Sequence, residues 1–185
     1  PRPVTVSRRW FGMLLDWLGL GVIGTAATVA WAMLLHVTGW QRPDHAVEVL
    51  VTVLLPGLLW IVVPALSGTR ASAGQKTVWL APALPDADDA ARAASLPPRT
   101  VSAGQALARA ASVGGVYVVG RTAEALLPAT AAGLLSLLMG LWLLVAVVSV
   151  VPTRNHRGLS CAVTGLELVD ARTLAARQPR GRDAR

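Results

Sequence analysis

The chain has 185 residues, 54% apolar and only 15% charged, with a formal charge of +7. A soluble domain carries about a quarter charged residues, and here the shortfall is clumped: 26 residues from Leu126 to Val151, 25 from Trp17 to Gln41 and 21 from Val49 to Thr69 contain no charge. About 20 apolar residues cross a hydrocarbon core of ~30 Å, so three such runs exclude a soluble enzyme, a disordered tail and a secreted disulfide scaffold.

The first helix is expected over about 10–37, with Arg2, Arg8 and Arg9 before it and Trp10, Trp17 and Trp40 near its ends, where amphipathic indoles favour the headgroup level. Ser7-Arg8-Arg9-Trp10-Phe11 has the look of a twin-arginine export signal. The long apolar stretch, Asp16 within it and the later spans favour a retained membrane helix instead. After a polar turn, Gln41 to His45, a second helix is expected over about 47–66, kinked at Pro56 and Pro64 because each lacks a backbone donor and crowds the preceding turn. Residues 67–101 read as a polar loop with an acidic cluster (Asp86, Asp88, Asp89).

Helices are expected next over about 102–125 and 129–151, the last stopped by Pro152. The segment 102–125 contains Arg109 and Arg121, each placed to snorkel toward a different surface. Charge bias decides its reading. Four spans put fourteen of the seventeen basic residues on one side, with Arg42 and Arg121 opposite and Arg109 within the membrane. Three spans would export the arginine-rich tail, against the positive-inside rule. The reading is therefore an all-α membrane protein of four spanning helices with both termini cytoplasmic. The transmembrane domain covers 1–165, and a basic tail covers 166–185. Two short runs, Thr77-Val78-Trp79-Leu80 and Leu166-Glu167-Leu168-Val169, have strand length and turn signals and fall on the same side, where they can pair.

Sixteen arginines and one lysine then describe topology. Such a skirt attracts anionic lipid headgroups, and no nucleic-acid reader motif accompanies it. Asp16 stands out, because a carboxylate inside a membrane helix is costly and marks function or a tight internal joint. Arg9 lies seven residues earlier on the same face, and Gly12 and Gly19 flank Asp16 there, so this face is expected to meet protein. Arg9, Arg109 and Arg157 are the candidate ion-pair or ion-coupling partners of Asp16. Gly114 and Gly115, with Ala110 and Ala111, suit close helix packing. His36 reads as interfacial packing, His45 and His156 as solvated, and Cys161 as a small packing residue. No catalytic set, phosphate loop or metal motif occurs, so neither an enzyme nor a cofactor or metal is expected.

Arg9-Trp-Phe-Gly-Met-Leu-Leu-Asp16 resembles the opening of the RDD family, named for one arginine and two aspartates. Gly68 to Leu80 is similar to that family's cytoplasmic glycine-lysine segment. Val101-Ser-Ala-Gly-Gln-Ala-Leu-Ala-Arg109 is similar to its entry to the third helix, and Arg154 to Gly165 to its arginine-glycine-leucine-histidine-aspartate segment. In this sequence Ser160 and Cys161 stand where the family has histidine and its second aspartate. The resemblance implies a multi-pass membrane protein for which transport has been suggested, sodium/proton antiport among relatives. Two functions follow. One is an accessory or scaffolding subunit that packs against other membrane proteins or itself. The other is an ion or small-molecule transporter acting as an oligomer through Asp16. The arginine and alanine bias suggests a bacterial plasma membrane protein.

Overall fold

The computed structural model describes residues 4–41, 43–84, 101–153 and 157–172. The acidic cluster at 86–89, His156 and the arginines beyond Arg172 lie outside them. The chain is mostly helical, with a small two-stranded sheet. Among the described residues, three helices are long and apolar enough to cross a membrane: Val6–Thr38, His45–Leu66 and Ala129–Val148.

Helix α1 (Val6–Thr38) has 33 residues and ends at Gly39, whose φ of 65° turns the chain out of the helix. At 1.5 Å per residue it is about 50 Å long, so it outruns a single membrane crossing. Helix α2 covers His45–Leu66 and contains a π turn at Leu50–Leu54. The cause lies one turn ahead. Pro56 has no N–H to give to the carbonyl four residues earlier, and the ladder widens before it, with the Leu55 amide donating to the Leu50 carbonyl. The helix continues through Pro64 and stops at Leu66.

Two Ser-Ala-Gly-Gln sequences follow, and each begins a helix. At α3 (Ala73–Thr77) the Ser72 hydroxyl accepts from the Gln75 amide while the Gln75 side chain accepts from the Ser72 amide, a reciprocal capping box. Ser102 and Gln105 repeat it at the start of α4. Helix α4 runs without a break through Ala103–Ala110, a π turn at Ala111–Gly115 and Val116–Leu126. It is continuous over the segment expected at 102–125, but Arg109, Arg121 and Glu124 leave it less apolar than the other three. Helix α5 (Ala129–Val148) ends three residues before the expected Val151 and gives way to turns ahead of Pro152.

Strands β1 (Leu80–Ala83) and β2 (Glu167–Asp170) pair antiparallel, Leu80 opposite Asp170 and Ala83 opposite Glu167. The sequence placed the first strand at Thr77–Leu80; the capping box takes Ala73–Thr77 into a helix instead, and the strand starts at Leu80. Trp79 makes the corner with φ 56°, and its carbonyl accepts from the Ala171 amide. Between α5 and β2, helix α6 (Gly158–Thr164) closes on Gly165. Strand β2 thus brings part of the segment read as tail into the fold.

The densest core is not along the long helices but at one end of them. Leu80, Ala106, Cys161, Leu166 and Leu168 pack there with Val4 and Ala65 under the sheet. The long helices instead expose large apolar residues, among them Leu134, Leu137, Leu138, Leu141 and Leu144 on α5 and Val22, Val29 and Met33 on α1. A soluble monomer rarely leaves so much contiguous apolar surface open. An outward apolar band around a polar-tipped end is what a hydrocarbon solvent requires.

The sheet is tied down electrostatically. Asp170 is 3% exposed and accepts from Arg172 at 2.9 and 3.0 Å and from Arg8 at 3.0 Å. The Arg172 hydrogen bonds hold the Asp170 carboxyl well below the usual carboxylate range despite its burial, and Arg8 adds to the effect. A lowered folded-state value means the contribution to stability is complete above a pH of about 4 and is lost as the pH falls below it. Thermal melts are therefore expected to separate the wild type from Asp170→Asn near neutral pH, with the gap closing in acid. A gap that is constant or widens as the pH falls would contradict this assignment.

Candidate functional site: a carboxylate joint beside two buried arginines

Asp16 sits nearly three turns into α1, and its carboxylate meets the start of α3. Oδ1 accepts from the Gly74 amide at 2.7 Å and Oδ2 from the Ser72 hydroxyl at 2.5 Å. A carboxylate on first-turn amides satisfies donors the helix cannot pair internally, and hydrogen bonds to a charged acceptor are about twice as strong as neutral ones. The joint is close because both sides lack side chains. A Cβ on Gly74 would lie 2.2 Å from the Gly12 carbonyl oxygen and 2.8 Å from the Asp16 amide nitrogen. One on Gly12 would meet Val78 at 3.1 Å.

Arg109 reaches the same capping box from the other side. Its Nη1 donates to Gln75 Oε1 at 3.0 Å and its Nη2 to the Arg70 carbonyl at 3.0 Å. Since Gln75 is also the reciprocal partner of Ser72, Asp16 and Arg109 are joined through Ser72 and Gln75 and not by a direct ion pair among the described residues. Arg9 is 2% exposed, and its Nε and Nη2 have no hydrogen-bond partner among the described residues. Its electrostatic neighbours are Cys161, Arg109 and Glu167. Arg157 bonds Glu167 at 3.4 Å. Cys161 is fully buried, beside both Arg9 and Arg109.

The glycines expected to pack helices divide. Gly19 lies under the Trp60 ring, where a Cβ would come within 2.1 Å of the indole, and the Trp60 Nε1 donates to the Asp16 carbonyl at 3.2 Å. Gly114 faces Ile61 of α2, with a Cβ distance of 3.1 Å. Gly115 would meet only Ala111 of its own helix. Two further contacts are not legible from spacing: Gly57 receives Val118, and Gly120 receives the Met139 sulfur. Both belong to faces that read as uniformly apolar, so only a partner's position singles them out.

No family model matches the chain, and no curated protein or solved structure matches it. Its chemistry is therefore read from the geometry alone. His45 Nε2 lies 3.0 Å from the Ala125 carbonyl and bridges α2 to α4. Glu124 is bonded by Arg121 and by Ser136 of α5. Among the described residues no group of three or more His, Cys, Asp or Glu side chains is placed to hold a metal ion.

Proposed function

We propose that the chain is a small multi-pass protein of a bacterial plasma membrane, RDD-like in plan, serving as an accessory or scaffolding subunit. Its plan in this reading is four spanning helices with both termini cytoplasmic. The sheet supports the even number of spans. Strand β1 follows α2 and β2 follows α5, and the two are hydrogen-bonded to each other. Arg8, just inside the start of α1, bonds both the Val78 carbonyl and Asp170. The start of α1 and the ends of α2 and α5 therefore share one end of the bundle. Helix α4, at 1.5 Å per residue, is about 36 Å long and fits the return crossing.

The observation that carries the functional reading is the state of Asp16. Both of its oxygens are engaged by donors of the α3 cap, so the acid acts as a joint between α1 and the sheet-bearing end. A second observation favours a partner. Past Asp16, α1 presents an open apolar face with Trp17, Gly21, Thr25, Val29 and Met33, and its small residues would let another membrane helix approach closely in place of lipid. Anionic lipid and other membrane subunits are the partners this reading names.

Affinity purification from the native membrane in mild detergent tests it, with a stoichiometric hetero-complex expected. The transporter reading makes the opposite demand, since Asp16 must exchange partners with an ion. Proteoliposomes of the purified chain are expected to show no cation-dependent proton flux. A flux that Asp16→Asn abolishes without lowering the melting temperature would overturn the scaffolding reading.

A further inference from the structure

Where α1, α4 and α6 meet, positive charge exceeds its compensation. Arg9 is 2% and Arg109 5% exposed, and they are electrostatic neighbours. Among the described residues, Arg9 Nε, Arg9 Nη2 and Arg109 Nε are buried donors without an acceptor. The nearby acids, Asp16 and Glu167, make their hydrogen bonds to other groups, and their two charges stand against three guanidinium groups, those of Arg9, Arg109 and Arg157. Cys161, fully buried, neighbours both guanidinium groups and brings no carboxylate. Water satisfies a stranded N–H but leaves the charge, and a buried charge is stable only when paired.

We propose that Arg9 and Arg109 together bind a small inorganic monovalent anion of chloride size beside Cys161. The class of ligand follows from the setting. The guanidinium donors are enclosed, so a headgroup tethered to acyl chains has no entry, and a single negative charge balances the excess. The α6 backbone closes the site on its side: at Gly158, held at φ 66°, a Cβ would stand 3.0 Å from Val150 Cγ2 and 3.7 Å from Arg9 Nη1. This inference is independent of the scaffolding reading, because either a scaffold or a transporter can carry a structural anion.

The full chain in nanodiscs of zwitterionic phosphatidylcholine tests it, melted in sodium chloride against sodium gluconate at equal ionic strength. Gluconate is too large for the site. The wild type is expected to show a saturable rise of a few degrees in melting temperature with chloride and with bromide, as for any ligand that binds only the folded state. It is also expected to broaden the chloride-35 resonance. Cys161→Asp supplies the missing charge within the fold, so it is expected to lose the halide response and to melt in gluconate as high as the wild type does in chloride. Identical melting of the wild type in both salts, or a Cys161→Asp variant that keeps the halide shift, overturns the proposal. Phosphatidylglycerol discs that give the full shift without halide also overturn it, by assigning the charge to a lipid phosphate.

Discussion

Gly74→Ala is expected to be among the most damaging single-methyl additions in this protein, while Gly104→Ala, at the same place in an identical tetrapeptide, is expected to be harmless. Gly74 and Gly104 each occupy the second position of a helix opened by a Ser-x-x-Gln capping box. A Cβ at Gly74 meets backbone: the Gly12 carbonyl oxygen at 2.2 Å and the Asp16 amide at 2.8 Å. Neither atom belongs to a flexible side chain, so α3 must move off α1, and both Asp16 hydrogen bonds stretch with it. Overpacking costs about 1–3 kcal/mol and occasionally more, and loss of the charge-assisted bonds adds to it, so ~3 kcal/mol or above is the expected cost. At Gly104 the nearest atom to a Cβ is Ser102 Oγ at 4.0 Å. There the gain in helix propensity, up to about 1 kcal/mol, goes uncontested. Thermal melts of the two variants in detergent settle the comparison, and equal melting temperatures would show that α3 does not dock on α1 as described.

Asp16→Ala is the second large effect. It strands the Ser72 hydroxyl and the Gly74 amide in a partly buried joint, at about 1–3 kcal/mol for each unsatisfied group. Ser72→Ala removes one donor to Asp16 and the N-cap of α3 together, a cap alone being worth about 0.5–2 kcal/mol. Because the two residues bond each other, the double variant is expected to lose less than the sum of the single losses, by at least 0.5 kcal/mol on the order typical of contacting pairs. Chemical or thermal unfolding of the four proteins in one cycle gives the coupling directly. Strict additivity would mean that Asp16 and Ser72 do not share the bond.

The two experiments probe the same joint, and it explains why the acid sits in a membrane helix at all. A charge near the end of α1 is expensive in hydrocarbon, but here it faces a helix start whose amides require an acceptor. Asp16 orients the α3–β1 unit, the Arg8 bonds to the Val78 carbonyl and Asp170 hold its far side, and β2 closes over it. The end of the bundle is thus built as a small polar-and-apolar core, while the helices beyond it present their side chains outward.

Much of this was legible in the amino-acid order. Charge-free runs located the three apolar spans within a few residues, because hydrocarbon imposes a length and a composition that few other environments do. Asp16, Gly12 and Gly19 were marked as one protein-facing face by helical spacing. The pairing of two short strands followed from their position after α2 and α5. Less legible was the fate of Thr77, read as strand: a capping box competes for the same residues, and Ser72 with Gln75 wins.

What the sequence determined by itself is therefore the solvent: where the chain meets hydrocarbon, where it meets water, and which acid has to find a donor. Only the tertiary structure decided which donor. Arg9, Arg109 and Arg157 are equally plausible partners on a linear chain, since attraction between unlike charges carries no address. The close approach of Gly12 to Gly74 hands Asp16 to the α3 cap, connects Arg109 to it through Gln75, and leaves Arg9 buried against Cys161. Two identical Ser-Ala-Gly-Gln sequences start two helices, and only packing makes one glycine indispensable and the other open to a methyl group, because contact depends on what lies across the gap and not on the residue that leaves it.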